Sequence, residues 1–150
     1  MNREQRIGTY RRTLESSEKR AAARLSEAEA KLQDARQRLE QLERYRSDYT
    51  ESFGARASLG ITGPALLDFQ AFIARLGEAI RQQSSLVAKM EMDRGQVHKR
   101  FKEVAVQNRA VGAVVERWRA EDRVIENRLE QKSIDERAQH SPSPIGLTGT

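Results

Sequence analysis

GARASLGITG, residues 54–63, is the stretch on which the fold turns. Three glycines in ten residues make it the strongest break in a chain of long Ala, Glu, Leu, Lys and Arg-rich segments. On its near side, between Gly8 and Gly54, there is neither glycine nor proline. On its far side Pro64 stands where a first-turn proline belongs, and Thr62 is placed to cap the helix that follows.

Working outward, the first segment covers residues 4–53. Apolar side chains recur at Ile7, Leu14, Ala21, Leu25, Ala28, Leu32, Ala35, Leu39, Leu42 and Tyr49, in alternating steps of three and four. Only Arg11, Glu18 and Arg46 interrupt this seam with polar groups. The second segment, residues 64–138, repeats the pattern at Phe69, Ile73, Leu76, Ile80, Val87, Met90, Val97, Phe101, Val104, Val111, Val115, Trp118, Ile125 and Leu129. Gln83, Arg94, Asn108, Asp122 and Lys132 are its polar positions. A period of 3.5 residues kept over this length specifies a left-handed supercoil. Gly77, Gly95 and Gly112 lie inside the second segment and each costs roughly 1 kcal/mol against alanine; local bending is expected there.

Two heptad helices joined by a short connection form an antiparallel hairpin. The fold class expected is therefore all-α, a two-helix antiparallel coiled coil with the second helix longer. With the reversal near residues 58–59, position i lies across from about 117 − i, which leaves residues 111–138 without an intrachain partner. That overhang is apolar along Val111, Val115, Trp118, Ile125 and Leu129, and such a face marks a binding site or a dimer seam. The tail SPSPIGLTGT, residues 141–150, is too poor in apolar groups to repay ordering and is expected to be disordered.

Composition agrees with a thin rod. Charged residues make up 33% of 150 and hydrophobic residues 37%, with a net charge of +5. There is no cysteine, which excludes disulfides and thiolate metal sites. No apolar run approaches the roughly 20 residues of a membrane span, and MNREQRIGTYRR has no apolar core of a secretory signal. The expected location is the cytoplasm. Basic and acidic side chains alternate along both helices, as solvated coiled-coil flanks do. The exception is the N-terminal arm, where Arg3, Arg6, Arg11 and Arg12 face the single acid Glu4.

Chemistry is thin. His98 lies between basic neighbours and His140 borders the tail; both read as surface histidines. GITGP lacks the lysine of a phosphate loop, metal-ligand spacing is absent, and a rod offers no concave pocket to shift a carboxylate. No catalytic residue and no cofactor are expected. Nucleic acid is disfavoured because acids interleave the basic stretches such as HKRFK at 98–102. What remains is a protein that binds other proteins, with a generic coiled-coil scaffold as the plain alternative.

Three stretches carry a more specific likeness: LEQLERYRSDYTE (39–51), GITGPALLDFQAFIARLGEAI (60–80) and ENRLEQKSIDERAQ (126–139), the last with Gln131, Lys132, Asp135 and Glu136 in a Q-K-x-x-D-E arrangement. Together they resemble the FliJ family of flagellar type III export proteins, whose relatives include the injectisome stalk proteins. The resemblance implies a non-enzymatic antiparallel coiled coil similar to the stalk of rotary ATPases. It implies association with the hexameric export ATPase FliI, with the cytoplasmic side of the gate protein FlhA, and with export chaperones, at the inner face of the cell membrane and without insertion into it. Carried over by residue, the gate-binding set is Leu42, Tyr45, Tyr49, Phe72, Leu76, Ala79 and Gln83, with Gln83 and Arg38 departing from the common pattern. The ATPase is expected at the helix ends: Arg3, Arg6, Arg11, Val111, Val115, Trp118, Ile125, Leu129, Gln131, Lys132, Asp135 and Glu136. Phe72, Leu76, Ala79 and Gln83 form a line beside the seam, so the second helix has a broader apolar face near the hinge than one partner helix requires. Core packing near the loop is the plain alternative for these residues.

Overall fold

Two helices account for nearly all of the described chain, residues 2–140 of a computed structural model. Helix α1 is Arg3–Ala57 and helix α2 is Gly63–His140, and they pack against each other along the whole of α1. At about 1.5 Å per residue, α1 is roughly 80 Å long and α2 roughly 115 Å. The expected tail, residues 141–150, lies outside the described residues.

Each helix end has a chemical cause. Asn2 caps α1 by accepting from the Gln5 backbone N–H, while the Gln5 side chain accepts from the Asn2 N–H, closing a capping box. At the other end, Ser58 Oγ donates to the Ala55 carbonyl and the Ser58 N–H to that of Gly54. Gly60 then turns the chain with φ of 97°, a conformation that a Cβ would strain. Thr62 caps α2 by accepting from the Ala65 N–H, with Pro64 in the first turn.

The seam expected from the heptads is the buried face. Leu14, Ala21, Leu32 and Ala35 of α1 and Leu76, Ile80, Val87, Val104 and Val115 of α2 are buried. Leu32, the tightest on α1 at 3% exposed, packs with Ala35, Val87, Leu39 and Met90. Polar seam residues find partners across the seam: Asn108 donates to the Glu18 carboxylate, and Gln83 Nε2 donates to the backbone carbonyl of Ala35 at 3.0 Å. Such pairs penalise any slipped register, which would strand a polar group in the seam.

The register differs from the expected one. Helix α1 continues through Gly54 to Ala57, and only residues 58–62 are non-helical, where a turn over 54–63 was expected. A single glycine costs a helix only about 1 kcal/mol, less than the packing gained when Phe53 stacks on Phe69. The reversal therefore moves toward Gly60, and Arg3 reaches Glu121 and Asp122. Val111, Val115 and Trp118, expected to stand free, are covered by α1, and Val115 is 7% exposed. The unpartnered part of α2 is residues 123–140, roughly 27 Å of helix.

Candidate functional site

At the hinge end, five aromatic rings from both helices form one cluster. Phe53 and Phe69 stack at 3.7 Å between centroids and 6° between planes. Tyr49 stacks on Phe69 at 5.7 Å and leans on Phe72 at 4.5 Å. Tyr45 meets Phe72 edge-on at 5.9 Å and touches Tyr49 at 6.2 Å. Heptad spacing places Tyr49, Phe53 and Phe69 in the seam, whereas Tyr45 and Phe72 sit one step to the side. Tyr45 remains 53% exposed and closes the cluster from solvent.

The structure brings Leu42, Tyr45, Tyr49, Phe72, Leu76, Ala79 and Gln83 onto this end of the hairpin. Their exposures differ. Leu76 is buried, Leu42, Tyr49, Phe72 and Ala79 are half-buried, and Gln83 is turned inward by its bond to Ala35. Around the tip Leu59 (89% exposed), Ile61, Leu66 and Leu67 extend the apolar surface beyond the residues anticipated. Their signal was available as the uncharged run over residues 57–67.

The open end is built from charge. Arg3 of α1 lies 4.6 Å over the Trp118 ring and forms ion pairs with Glu121 at 3.5 Å and Asp122 at 3.4 Å. Glu4 is hydrogen-bonded to the Asp122 carboxyl, which holds Glu4 above the usual carboxylate range; its partial desolvation and the charge of Asp122 act in the same direction. Arg11 is half-buried, paired with Glu15 at 3.3 Å and laid over Gly112, and Arg6 is exposed. Past the end of α1, Val124, Ile125, Leu129 and Ile134 are each about half or more exposed. Gln131 Nε2 donates to Asp135 Oδ1 at 3.1 Å, while Lys132 and Glu136 are exposed on the same helix.

Among the described residues no group of acids and histidines is gathered as a metal site would require, and no helix is long and apolar enough to cross a membrane. The concavities are grooves between or along the helices, such as one walled by Lys31, Asp34, Arg38, Gln83 and Leu86.

The chain is 27% identical over 135 residues to the Flagellar FliJ protein of Escherichia coli (strain K12), covering 90% of this chain and 92% of that protein. No solved structure matches. The profile of the family described as Flagellar FliJ protein matches residues 6–143, and the chain belongs to that family.

Proposed function

We propose that this chain is a non-enzymatic stalk of the flagellar protein export apparatus, which binds the hexameric export ATPase FliI at its open end and the gate protein FlhA at its hinge end. The observation that carries this reading is the pairing of two chemically different ends on one stiff rod. One end is a single helix with a bare apolar stripe; the other is an aromatic cluster with an apolar tip. Roughly 80 Å of paired helix separates them. A stripe of exposed side chains at Ile125 and Leu129 suits a helix entering a protein ring, since covering each large apolar group is worth roughly 1.5–3 kcal/mol. Arg6, Gln131, Lys132, Asp135 and Glu136 would supply the polar rim; Val111, Val115, Trp118, Arg3 and Arg11 would support the end from within. Export chaperones are further partners in this reading, and the location is cytoplasmic, peripheral to the membrane at the flagellar base.

The test separates the ends. Purified chain alone should hydrolyse no ATP and should stimulate FliI. Truncation after residue 122, or Ile125→Ala with Leu129→Ala, should abolish stimulation while FlhA binding persists. Tyr45→Ala should do the reverse. Tyr45 is a cleaner probe than Leu76, whose burial confounds binding with stability. Stimulation that survives the truncation, or ATP turnover by the isolated chain, would refute the assignment.

A further inference from the structure

The open end pairs two unlike faces. On α2 the heptad line is Val111, Val115, Trp118, Asp122, Ile125 and Leu129, apolar at every position but Asp122. The arm of α1 that meets its first half has Glu4, Ile7 and Arg11 at the seam, of which only Ile7 is apolar. Further along, from Leu14 to Leu42, the seam of α1 is apolar at every position but Glu18. A continuous apolar line on one helix is thus answered by a mainly charged one, and only over this arm.

The packing follows from that mismatch. Arg11 Nε is buried 3.3 Å from Glu15 and makes no hydrogen bond. Beside Gly8 a groove of about 360 Å³ opens between the helices, bordered by Ile7, Gly8, Arg11, Val115 and Arg119. Glu4 and Asp122 meet carboxyl to carboxyl. Arg3 holds the end of the arm by ion pairs and a ring contact that are all at the surface. An unsatisfied buried donor and a pair of acids both work against closure. A helix end with few apolar contacts is also the first part of a fold to open. Even so, the arm does cover α2: Val115 is 7% exposed, and Val111 and Trp118 are half-buried.

We propose that the partner-binding line of α2 begins at Val111, and that the arm, residues 3–12, is a lid over its first half which the ATPase displaces. The proposal rests on the reading of the open end as the ATPase-binding end. At rest Ile125 and Leu129 are the apolar residues of this line that stand bare, and Val111, Val115 and Trp118 support the end from within. A ring that admits α2 as a single helix meets the start of α1 at Arg3 as a shoulder. Lifting ten residues of the arm frees about 15 Å more of α2. It also adds Val111, Val115 and Trp118 to Ile125 and Leu129 on one continuous line. Leu14 and the apolar seam beyond it then stop the opening, because from there the two helices answer each other.

The experiment uses the full chain, which has no native cysteine. Glu4→Cys with Arg119→Cys places one thiol on each side of the groove. A short bismaleimide with a disulfide in its spacer joins them, and reduction releases them. The locked chain, and the same chain after reduction, are titrated against the FliI ring by calorimetry. Binding should be about tenfold or more tighter after reduction, since apparent affinity scales with the fraction of open molecules. Ile7→Ser removes the arm's one large apolar seam contact and should bind about threefold or more tighter than the wild type. Without any partner, amides of residues 4–12 should exchange about a hundredfold faster than those of residues 25–50. Equal affinity of the locked and reduced forms, or arm amides as protected as those of the middle of the rod, would overturn the lid. Weaker binding by Ile7→Ser would also overturn it, and would make the arm part of the bound surface. If the wild-type chain does not bind the ring at all, the ATPase reading of this end is itself refuted, and the lid falls with it.

Discussion

The hinge end and the open end close the same two helices by opposite means. At the hinge, rings from α1 and α2 stack with little polar contact, and a five-residue connection holds them together. At the open end one arginine bridges two carboxylates and an indole at the surface. Apolar burial is worth kilocalories per residue and is insensitive to salt. An exposed ion pair is worth roughly 0–1 kcal/mol and an exposed cation–π contact roughly 0.5–1 kcal/mol. The hinge is thus a fixed point and the open end a weak clasp, beyond which α2 runs on alone.

The largest effect expected of this contrast comes from Phe69→Ala. Phe69 stacks on both Phe53 and Tyr49, and because it is half-buried the loss should be about 2–4 kcal/mol, at or just below the range for buried aromatics. Urea unfolding should register it in full, and hydrogen exchange should show lost protection on both helices near the turn. A loss below about 1 kcal/mol would mean that the rings cover one another without stabilising the hairpin.

Next come two glycines six residues apart with opposite signs. Gly60→Ala forces a Cβ into φ of 97° and should destabilise by about 1–2 kcal/mol. Gly54→Ala lies in helical backbone with nothing within 4 Å of the new methyl, so it should stabilise by up to about 1 kcal/mol. Chemical denaturation of the two variants reads the difference directly. Equal signs would show that the helix ends before Gly54 in solution, and the register would revert to the one expected from sequence.

That pair of glycines also explains what could be read in advance. The heptad seam was legible residue by residue: Leu14, Ala21, Leu32, Val87 and Val104 are all buried. Periodicity is local, and each side chain reports its own face. Register is not local; it depends on which of three glycines reverses the chain, and helix propensity alone does not distinguish Gly54 from Gly60. A break at Gly54 would shift the pairing by several residues and leave Val115 and Trp118 uncovered, whereas α1 covers them. Tyr45 and Phe72 were each legible as lying beside the seam, but the meeting of their rings was not. The contact of Arg3 with Trp118 was not, because it joins residues 115 positions apart.

A smaller effect is expected from Arg3→Ala. It removes both ion pairs and the contact with Trp118, all at the surface, so global stability should fall by about 0.5–1 kcal/mol at most. The sensitive readout is Trp118, the only tryptophan. Its emission should shift to the red and its quenching by iodide should increase, while hinge aromatics and melting stay nearly unchanged. An unaltered emission would mean that the clasp is already open in solution, sharpening the contrast between the ends.

The smallest effect concerns pH and the same clasp. Glu4 is hydrogen-bonded to Asp122, and this bond, with partial desolvation and the charge of Asp122, holds its folded-state value above that of the unfolded chain. A carboxyl raised in the folded state binds its proton more tightly there than in the unfolded one, so its contribution is present at low pH and is lost as pH rises through the raised value. Below the ordinary carboxylate range the protonated Glu4 donates to Asp122 and the clasp is tightest on this account. Above the raised value two carboxylates confront each other, with Arg3 and Arg119 offsetting the repulsion. Trp118 emission should therefore move toward that of an exposed indole as pH climbs out of the carboxylate range, with no matching change at the hinge. Glu4→Gln keeps a donor toward Asp122 and removes one charge, so it should hold the low-pH emission to neutral pH and flatten the titration. If the wild-type titration persists in Glu4→Gln, another group controls the clasp and the contact of Glu4 with Asp122 does not set the pH response of the open end.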